Sequence, residues 1–220
     1  MSGRIRFTLA GFPVEIHWSF FLVAALLGFS NDLRILLVWV GVVFVSVLLH
    51  EMGHALVGRR YGMHPEIFLY GMGGLTSWRT GRRLTHGQSL LISVAGPGAG
   101  LLLGAVVWGI TLIDMPELNP LGRMALGSLF WINIWWSVLN LLPILPLDGG
   151  NVMRSLVHIV KGGVDDRLPR QISVAMGAAG VFVALLYGRT FAAMFAGYLA
   201  FSNYQALRGM PVPMFPGVRR

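Results

Sequence analysis

The sequence predicts an all-α polytopic membrane protein of about six transmembrane helices, with a short re-entrant β-hairpin or loop between the second and third helices. Hydrophobic residues make up 55% of the 220 residues and charged residues only 12%, which is too apolar for an ordinary soluble domain. Apolar stretches long enough to cross about 30 Å of hydrocarbon also recur along the chain. These stretches lie at 16–30, 33–58, 86–113, 124–146, 170–188 and 190–207.

The last two apolar stretches are separated by a short break at Gly188 and Arg189. Their combined length exceeds one membrane crossing, so the break predicts a tight helical hairpin. No internal repeat or second soluble domain is visible, and we expect residues 1–220 to form a single transmembrane domain. Residues 210–220 are expected to form a short basic cytoplasmic tail.

The segment between the second and third helices is rich in aromatic residues and glycine but too short to span a membrane. Two interpretations of Ile67–Trp78 stay open. It could form strands whose exposed edge pairs with an extended peptide substrate. It could equally be an interfacial loop with aromatic anchors.

The 17 basic residues outnumber the 9 acidic ones and give a net charge of +8. Membrane topology explains this excess better than nucleic acid binding. With the amino terminus in the cytoplasm, every Lys and Arg except Arg34, Arg123 and Arg189 falls on the cytoplasmic side, as the positive-inside rule requires. We therefore expect an integral protein of a prokaryotic cell membrane, with the lipid bilayer as a partner, no nucleic acid partner, and both termini in the cytoplasm.

One motif lies at the end of the apolar run Leu33–Val57, with the sequence His50-Glu-Met-Gly-His54. In a helix, two histidines four residues apart project from one face, where their imidazoles can bind one zinc ion. Glu51 lies beside them and could take a proton from metal-bound water. Ionisable groups are costly within hydrocarbon, so this cluster indicates function more strongly than a set of buried polar residues that lock helices together.

A catalytic zinc needs a third protein ligand and an open position for water. The chain has no cysteine, so the ligand must come from histidine, a carboxylate or another oxygen. Glu51 and Asp148 are the acidic residues expected at membrane depth. Asp148 lies in Asn140–Gly150, where prolines interrupt the helix and glycines permit an unwound turn that could line a buried cavity. His86 and His158 are fallback metal ligands.

Together these motifs resemble those of the site-2 protease family, which are intramembrane zinc metalloproteases. The resemblance covers most of the chain and is carried by His50–His54, Asn140-x-x-Pro, Leu147-Asp-Gly149, Gly11–Trp18 and Ser93–Pro97. It implies a compact form of the family, because the loops and tail are too short for a PDZ-like insertion or a carboxy-terminal regulatory domain.

The resemblance also implies roles for individual residues. His50, His54 and Asp148 correspond to the ligands of one zinc ion, Glu51 to the general base, and Asn140 to a polar group near the substrate carbonyl. Many relatives have an asparagine shortly after Ala-Gly-Pro, whereas this chain continues with Gly98-Ala-Gly100. A stripe of Gly96, Gly100 and Gly104 instead predicts close helix packing.

These features predict an intramembrane zinc endopeptidase that hydrolyses a peptide bond within or near a transmembrane segment of another protein, as in regulated intramembrane proteolysis. Its partner would be a transmembrane protein or peptide substrate. The alternative is a metal-binding membrane protein or transporter without hydrolytic activity. Against that alternative, the predicted membrane segments contain one compact ligand set and no chain of further carboxylates for ion relay.

Overall fold

The computed structural model describes residues 3–78, 83–112 and 118–210, which form mostly helices together with a small sheet. Of the predicted tail at 210–220, all but Met210 lies outside the described residues. The elements, in chain order, are β1 (Arg4–Leu9), β2 (Phe12–His17), α1 (Trp18–Leu27), α2 (Leu33–Arg60), β3 (Pro65–Tyr70), β4 (Gly73–Trp78), α3 (His86–Thr111), α4 (Pro120–Asn140), α5 (Asp148–Lys161), α6 (Arg167–Leu186) and α7 (Thr190–Leu207).

A four-stranded sheet in the order β1-β2-β3-β4 departs from the predicted all-α class. β1 and β2 pair in antiparallel fashion, as do β3 and β4, whereas β2 and β3 are parallel. A parallel pair needs a crossover connection, and α1 and α2 provide it here. The sequence predicted neither β1 nor β2, but of the two interpretations of Ile67–Trp78 the structure shows strands.

The core of this region forms where the sheet packs on α1 and α2. Side chains alternate along β2 and β3, so that every second residue is buried against the helices. The buried cluster contains Phe12, Val14, Ile16, Phe20, Val47, Leu48, Ala55, Ile67 and Leu69. Burial of this apolar surface holds the sheet against α2, the helix that carries the histidine motif.

On β2, Glu15 points between two cations of β1. Arg4 Nη1 donates to Glu15 Oε1 at 2.6 Å, and Arg6 Nε donates to Glu15 Oε2 at 2.8 Å. Burial raises the pKa of Glu15, but the hydrogen bonds and charges of Arg4 and Arg6 outweigh it and leave the pKa below its ordinary value. Because Arg6 lies directly opposite Glu15, these bonds reinforce the register of the hairpin.

Three of the described helices, α2, α3 and α6, are long and apolar enough to cross a membrane. The helix α1 is shorter than the predicted segment 16–30, because β2 takes up the first two of those residues. The His17 side chain accepts a hydrogen bond from the Ser19 amide and caps α1, which ends ten residues later. Ten helical residues extend about 15 Å, half the thickness of the hydrocarbon core.

The chain divides into two compact units. The first comprises Met1–Arg83 with Ala95–Leu139, and contains the sheet, α1, α2 and most of α3 and α4. The second comprises Leu84–Val94 with the chain from Asn140 onward, and contains the beginning of α3 and all of α5, α6 and α7.

Within the second unit, α6 and α7 form the predicted helical hairpin. The two helices are separated by three residues, and Gly188 in this turn has a positive φ of 65°. Their packing relies on small residues, since a Cβ atom added to Gly177 would lie only 2.8 Å from the Ala200 Cβ. The helical hairpin predicted from the break at Gly188 and Arg189 and from the combined length of the two stretches is therefore confirmed.

Candidate metal centre

The two histidines of the motif lie four residues apart on α2, and both side chains are buried. Their Nε2 atoms are 3.2 Å apart, and their ring planes are inclined at 79°. Two imidazole nitrogens that each bind one tetrahedral zinc ion at about 2.0–2.1 Å are separated by about 3.3–3.4 Å. The spacing of the His50 and His54 nitrogens therefore fits two ligands of a single ion.

Glycines on α2 and α3 allow the two helices to approach closely beside His54. A Cβ atom at Gly53 would overlap the Ala95 carbonyl group, and one at Gly96 would overlap the His54 ring. The next glycines of the stripe predicted from sequence, Gly100 and Gly104, lie against residues of α4. Close helix packing along this stripe is thus confirmed, and its first member lies directly on the candidate site.

Glu51 lies on the turn between the two histidines and is also buried. The Thr76 hydroxyl of β4 donates a hydrogen bond to Glu51 Oε2 at 2.7 Å. Gly74, two residues earlier on the same strand, leaves room for the carboxylate, because a Cβ atom there would overlap it. Neither residue was singled out from the sequence, since their proximity to Glu51 depends on how β4 packs on α2.

A polar contact between α2 and α4 lies one helical turn before His50. Asn133 Nδ2 donates to Ser46 Oγ at 2.8 Å, and both side chains are buried. Ser46 precedes His50 by four residues and so lies on the same face of α2. That spacing was a signal in the sequence for Ser46, but nothing in the sequence identified Asn133 as its partner.

Asn140 and Asp148 belong to the second unit, where they border a non-helical segment. Asn140 is the last residue of α4, and Asp148 is the first residue of α5. The predicted helix 124–146 therefore ends six residues early. Gly149 and Gly150 pack against the backbone of this segment so closely that a Cβ atom at either position would overlap it, as expected for glycines in a broken helix.

Side chains of α6 and α7 satisfy the backbone of the broken segment. The Leu145 amide donates to Ser173 Oγ at 3.0 Å, and the Leu145 carbonyl accepts from Asn203 Nδ2 at 2.6 Å. Non-helical backbone within a membrane needs such partners, because lipid offers none. The prediction that this segment is unwound and protein-buried is confirmed for Leu145, which is itself buried.

The fallback ligands His86 and His158 lie together in the second unit, with ring centroids 5.0 Å apart. His158 Nε2 lies 3.2 Å from the Asp165 carbonyl oxygen and 3.3 Å from Asp166 Oδ1. This pattern is that of a hydrogen-bonded histidine between α5 and the loop that follows it.

Comparisons with known proteins find related sequences. The family model described as peptidase family M50 matches residues 119–187. A zinc metalloprotease of Methanocaldococcus jannaschii is 30% identical over 193 residues, which cover 86% of this chain and 55% of that protein. A protein of Synechocystis is 31% identical over 202 residues, which cover 84% of this chain and 52% of the relative. By these matches the chain is similar in sequence to peptidase family M50 and to proteins named zinc metalloproteases.

The fold is similar to that of a solved structure as well. The site-2 protease from Methanocaldococcus jannaschii superposes with a TM-score of 0.61 at 23% identity, covering 99% of this chain and 100% of that one. Similarity to this family and the apolar helices together support an integral membrane protein. The chain spans about half the length of the curated relatives it matches.

We predict that Gly96→Ala lowers metal binding, because the new methyl group must displace the His54 ring. Gly98→Ala is the matched control, since a Cβ atom there has nothing within 4 Å. Both substitutions replace a helical glycine and should gain up to about 1 kcal/mol of helix propensity. Metal content of the purified variants should fall for Gly96→Ala alone. Equal metal content in the two variants would contradict close contact between Gly96 and His54.

Proposed function

We propose that this chain is an intramembrane zinc endopeptidase that hydrolyses a peptide bond within or near a transmembrane segment of another protein. The observation that carries the proposal is the pair of His50 and His54 nitrogens, 3.2 Å apart on a buried face of an apolar helix, with Glu51 between them. Metal ligands and a carboxylate that can accept a proton are the parts that metal-assisted hydrolysis requires. Similarity to peptidase family M50 supports the same activity.

The zinc ligands in this proposal are His50, His54 and Asp148. Each offers one ligand atom, a ring nitrogen or a carboxylate oxygen, and together they leave a fourth position for water or substrate. A zinc ion bound there supplies the Lewis acidity that polarises a peptide carbonyl. The proposal treats residues 1–220 as one metalloprotease domain.

Glu51 is the general base in this proposal. One of its carboxylate oxygens takes a proton from the attacking water and then returns it to the nitrogen of the departing amine. Asn140 is proposed to donate a hydrogen bond to the substrate carbonyl or to hold the substrate strand, because its amide is a neutral donor at the end of α4.

We predict that Glu51→Gln keeps zinc and loses at least about a hundred-fold in turnover, because an amide cannot accept the proton. Asp148→Ala should lose zinc, whereas Asp165→Ala, which removes an exposed carboxylate of the same unit, should keep it. Metal analysis of the purified variants measures zinc content. Mass spectrometry of single-pass membrane proteins in cells with the wild-type or the Glu51→Gln chain measures the loss of cleavage and identifies the substrate.

The outcomes of this experiment separate the two functions considered. A fragment that is present only with the wild-type chain supports the endopeptidase. Full zinc occupancy without any fragment that depends on Glu51 would favour a metal-binding membrane protein without hydrolytic activity. Stoichiometric zinc in Asp148→Ala would exclude Asp148 as a necessary ligand.

We further propose that the substrate pairs with the edge of β4. This strand is the last of the four in the described sheet, and a peptide bond must leave the helical conformation before a protease can attack it. Tyr70 and Gly73 close a two-residue turn, and hydrogen-bonded pairs alternate from there along a hairpin. The Gly74 and Thr76 amides are therefore expected to point toward the open edge.

We predict that strand pairing gives a period-two pattern of cross-links. A cysteine at Leu75 can be introduced cleanly, because the chain has none. In the Glu51→Gln background, Leu75→Cys should form disulfides with cysteines at every second position of the identified substrate, since alternate side chains of a strand share one face. Val45→Cys, an exposed position on α2, is the control. Cross-links at consecutive substrate positions, or at none, would contradict strand pairing.

We propose an orientation with both termini in the cytoplasm of a prokaryotic cell and about six membrane segments, formed by α1, α2, α3, α4, α6 and α7. The distribution of basic residues supports this orientation. The parallel pairing of β2 with β3 supports the arrangement of α1 and α2, because strands of one sheet lie on the same side of the membrane, so the chain returns after α2 to the side from which α1 began. Cleavage of a substrate beside the carboxy-terminal end of α2 would then release a cytoplasmic fragment of that substrate.

We predict that the two ends of α6 lie on opposite sides of the membrane. Lys161→Cys precedes α6 and Arg189→Cys follows it, both replace an exposed basic residue, and each therefore serves as the control for the other. In intact cells, a membrane-impermeant thiol reagent should label Arg189→Cys and leave Lys161→Cys unlabelled. Labelling of Lys161→Cys alone would invert the proposed topology.

A further inference from the structure

The strand β4 presents two residues to Glu51 from the same face. In the register of the hairpin, Gly74 lies opposite Leu69 and Thr76 lies opposite Ile67. Leu69 and Ile67 are almost completely buried. Residues directly opposite each other in a sheet share a face, so Gly74 and Thr76 belong to the face that packs on α2. β4 thus contributes side chains to the surroundings of Glu51 as well as an open edge.

The Thr76 hydroxyl has one proton and two acceptors within reach. Its Oγ1 lies 2.7 Å from Glu51 Oε2 and 3.2 Å from the Glu51 backbone oxygen. The shorter contact is to the group that can carry charge, and hydrogen bonds to charged groups are the stronger class. The carboxylate is therefore the main acceptor, and the Thr76 hydroxyl acts there as a donor.

The two oxygens of the Glu51 carboxylate have different surroundings. Oε2 accepts from Thr76, whereas Oε1 lies so close to Gly74 that a Cβ atom there would overlap it. A glutamate side chain on a helix has several rotatable bonds and loses about 1.5–2 kcal/mol of conformational entropy when it is fixed. The hydrogen bond to one oxygen and the close packing of the other on Gly74 restrict the movement of the carboxylate.

We propose that Thr76 is a positioning residue for Glu51. Its hydroxyl holds Oε2, and Oε1 is left as the oxygen that accepts the proton of water. This inference rests on the proposed endopeptidase activity for its catalytic meaning, while the contact itself can be tested without activity. Thr76 takes no part in proton transfer and acts through the orientation of Glu51, for which an error of about 1 Å costs a large part of the rate.

The test compares Thr76→Val with Thr76→Ser in the purified full chain. Valine keeps the shape of threonine and removes the hydroxyl, whereas serine keeps the hydroxyl. With fluorescently labelled casein as the probe, Thr76→Val should lower kcat by roughly ten-fold and leave KM within about two-fold, because Glu51 is still present but less well oriented. Thr76→Ser should recover most of the loss. Zinc content should be the same in all three proteins.

A second measurement is independent of proteolysis. The thermal midpoints of wild type, Thr76→Val, Glu51→Ala and the double variant form a double-mutant cycle. A hydrogen bond between the two side chains predicts that Thr76→Val destabilises the wild-type chain more than it destabilises the Glu51→Ala chain. Additive effects on the midpoint would overturn the inference, because the two side chains would then be independent.

The two measurements distinguish failure of the inference from failure of the proposed function. Cleavage by wild type with an unchanged kcat in Thr76→Val would overturn the positioning role alone. Equal losses in Thr76→Val and Thr76→Ser would also overturn it, because serine keeps the hydroxyl and should therefore retain most of the activity. If wild type and Glu51→Gln are equally inactive on casein and on cellular membrane proteins, the endopeptidase proposal fails, and the thermal cycle still decides whether Thr76 holds Glu51.

Discussion

The burial of two imidazoles and a carboxylate within a single turn and a half of an apolar helix is the constraint on which the rest of this structure depends. Polar groups removed from water are costly unless each has a partner, and the cost is greatest for a carboxylate. The elements α3 and β4 pack closely on this turn of α2 and surround the buried polar groups. Glycine on α3 makes room for the His54 ring, and β4 supplies a hydroxyl and a glycine to the Glu51 carboxylate.

The sheet explains how β4 comes to lie beside α2. The core between the sheet and α2 is built from alternate residues of β2 and β3, and β4 continues the same sheet beyond β3. Trp78, at the far end of β4, packs on Gly58 two turns after Glu51, so contact with α2 continues along the strand. A helix that would otherwise face lipid on this side is therefore lined by a rigid strand at its functional turn.

The sequence allowed prediction of those features that depend on local spacing. The shared face of His50 and His54 follows from helical periodicity, and the break before Asp148 follows from two prolines and two glycines. The strand β2 was missed because it pairs with β3, about 50 residues away. The strand β1 was missed because it depends in turn on β2, through strand pairing and through the bonds of Arg4 and Arg6 to Glu15. Thr76 could not be found, because its role depends on strand register and not on its neighbours in sequence.

The hydrogen bonds at Leu145 give the carboxy-terminal helices a task beyond occupying the bilayer. Ser173 of α6 and Asn203 of α7 hold the amide and the carbonyl of a residue only three positions before Asp148. The acceptor, Ser173 Oγ, and the donor, Asn203 Nδ2, come from helices that carry none of the proposed chemistry. A protein engineer who exchanged this hairpin for a generic membrane anchor of equal hydrophobicity would leave an irregular backbone unsupported in lipid. The hairpin of α6 and α7 thus supports the non-helical segment before Asp148, and its polar residues are as necessary for this support as its apolar residues are for insertion in the membrane.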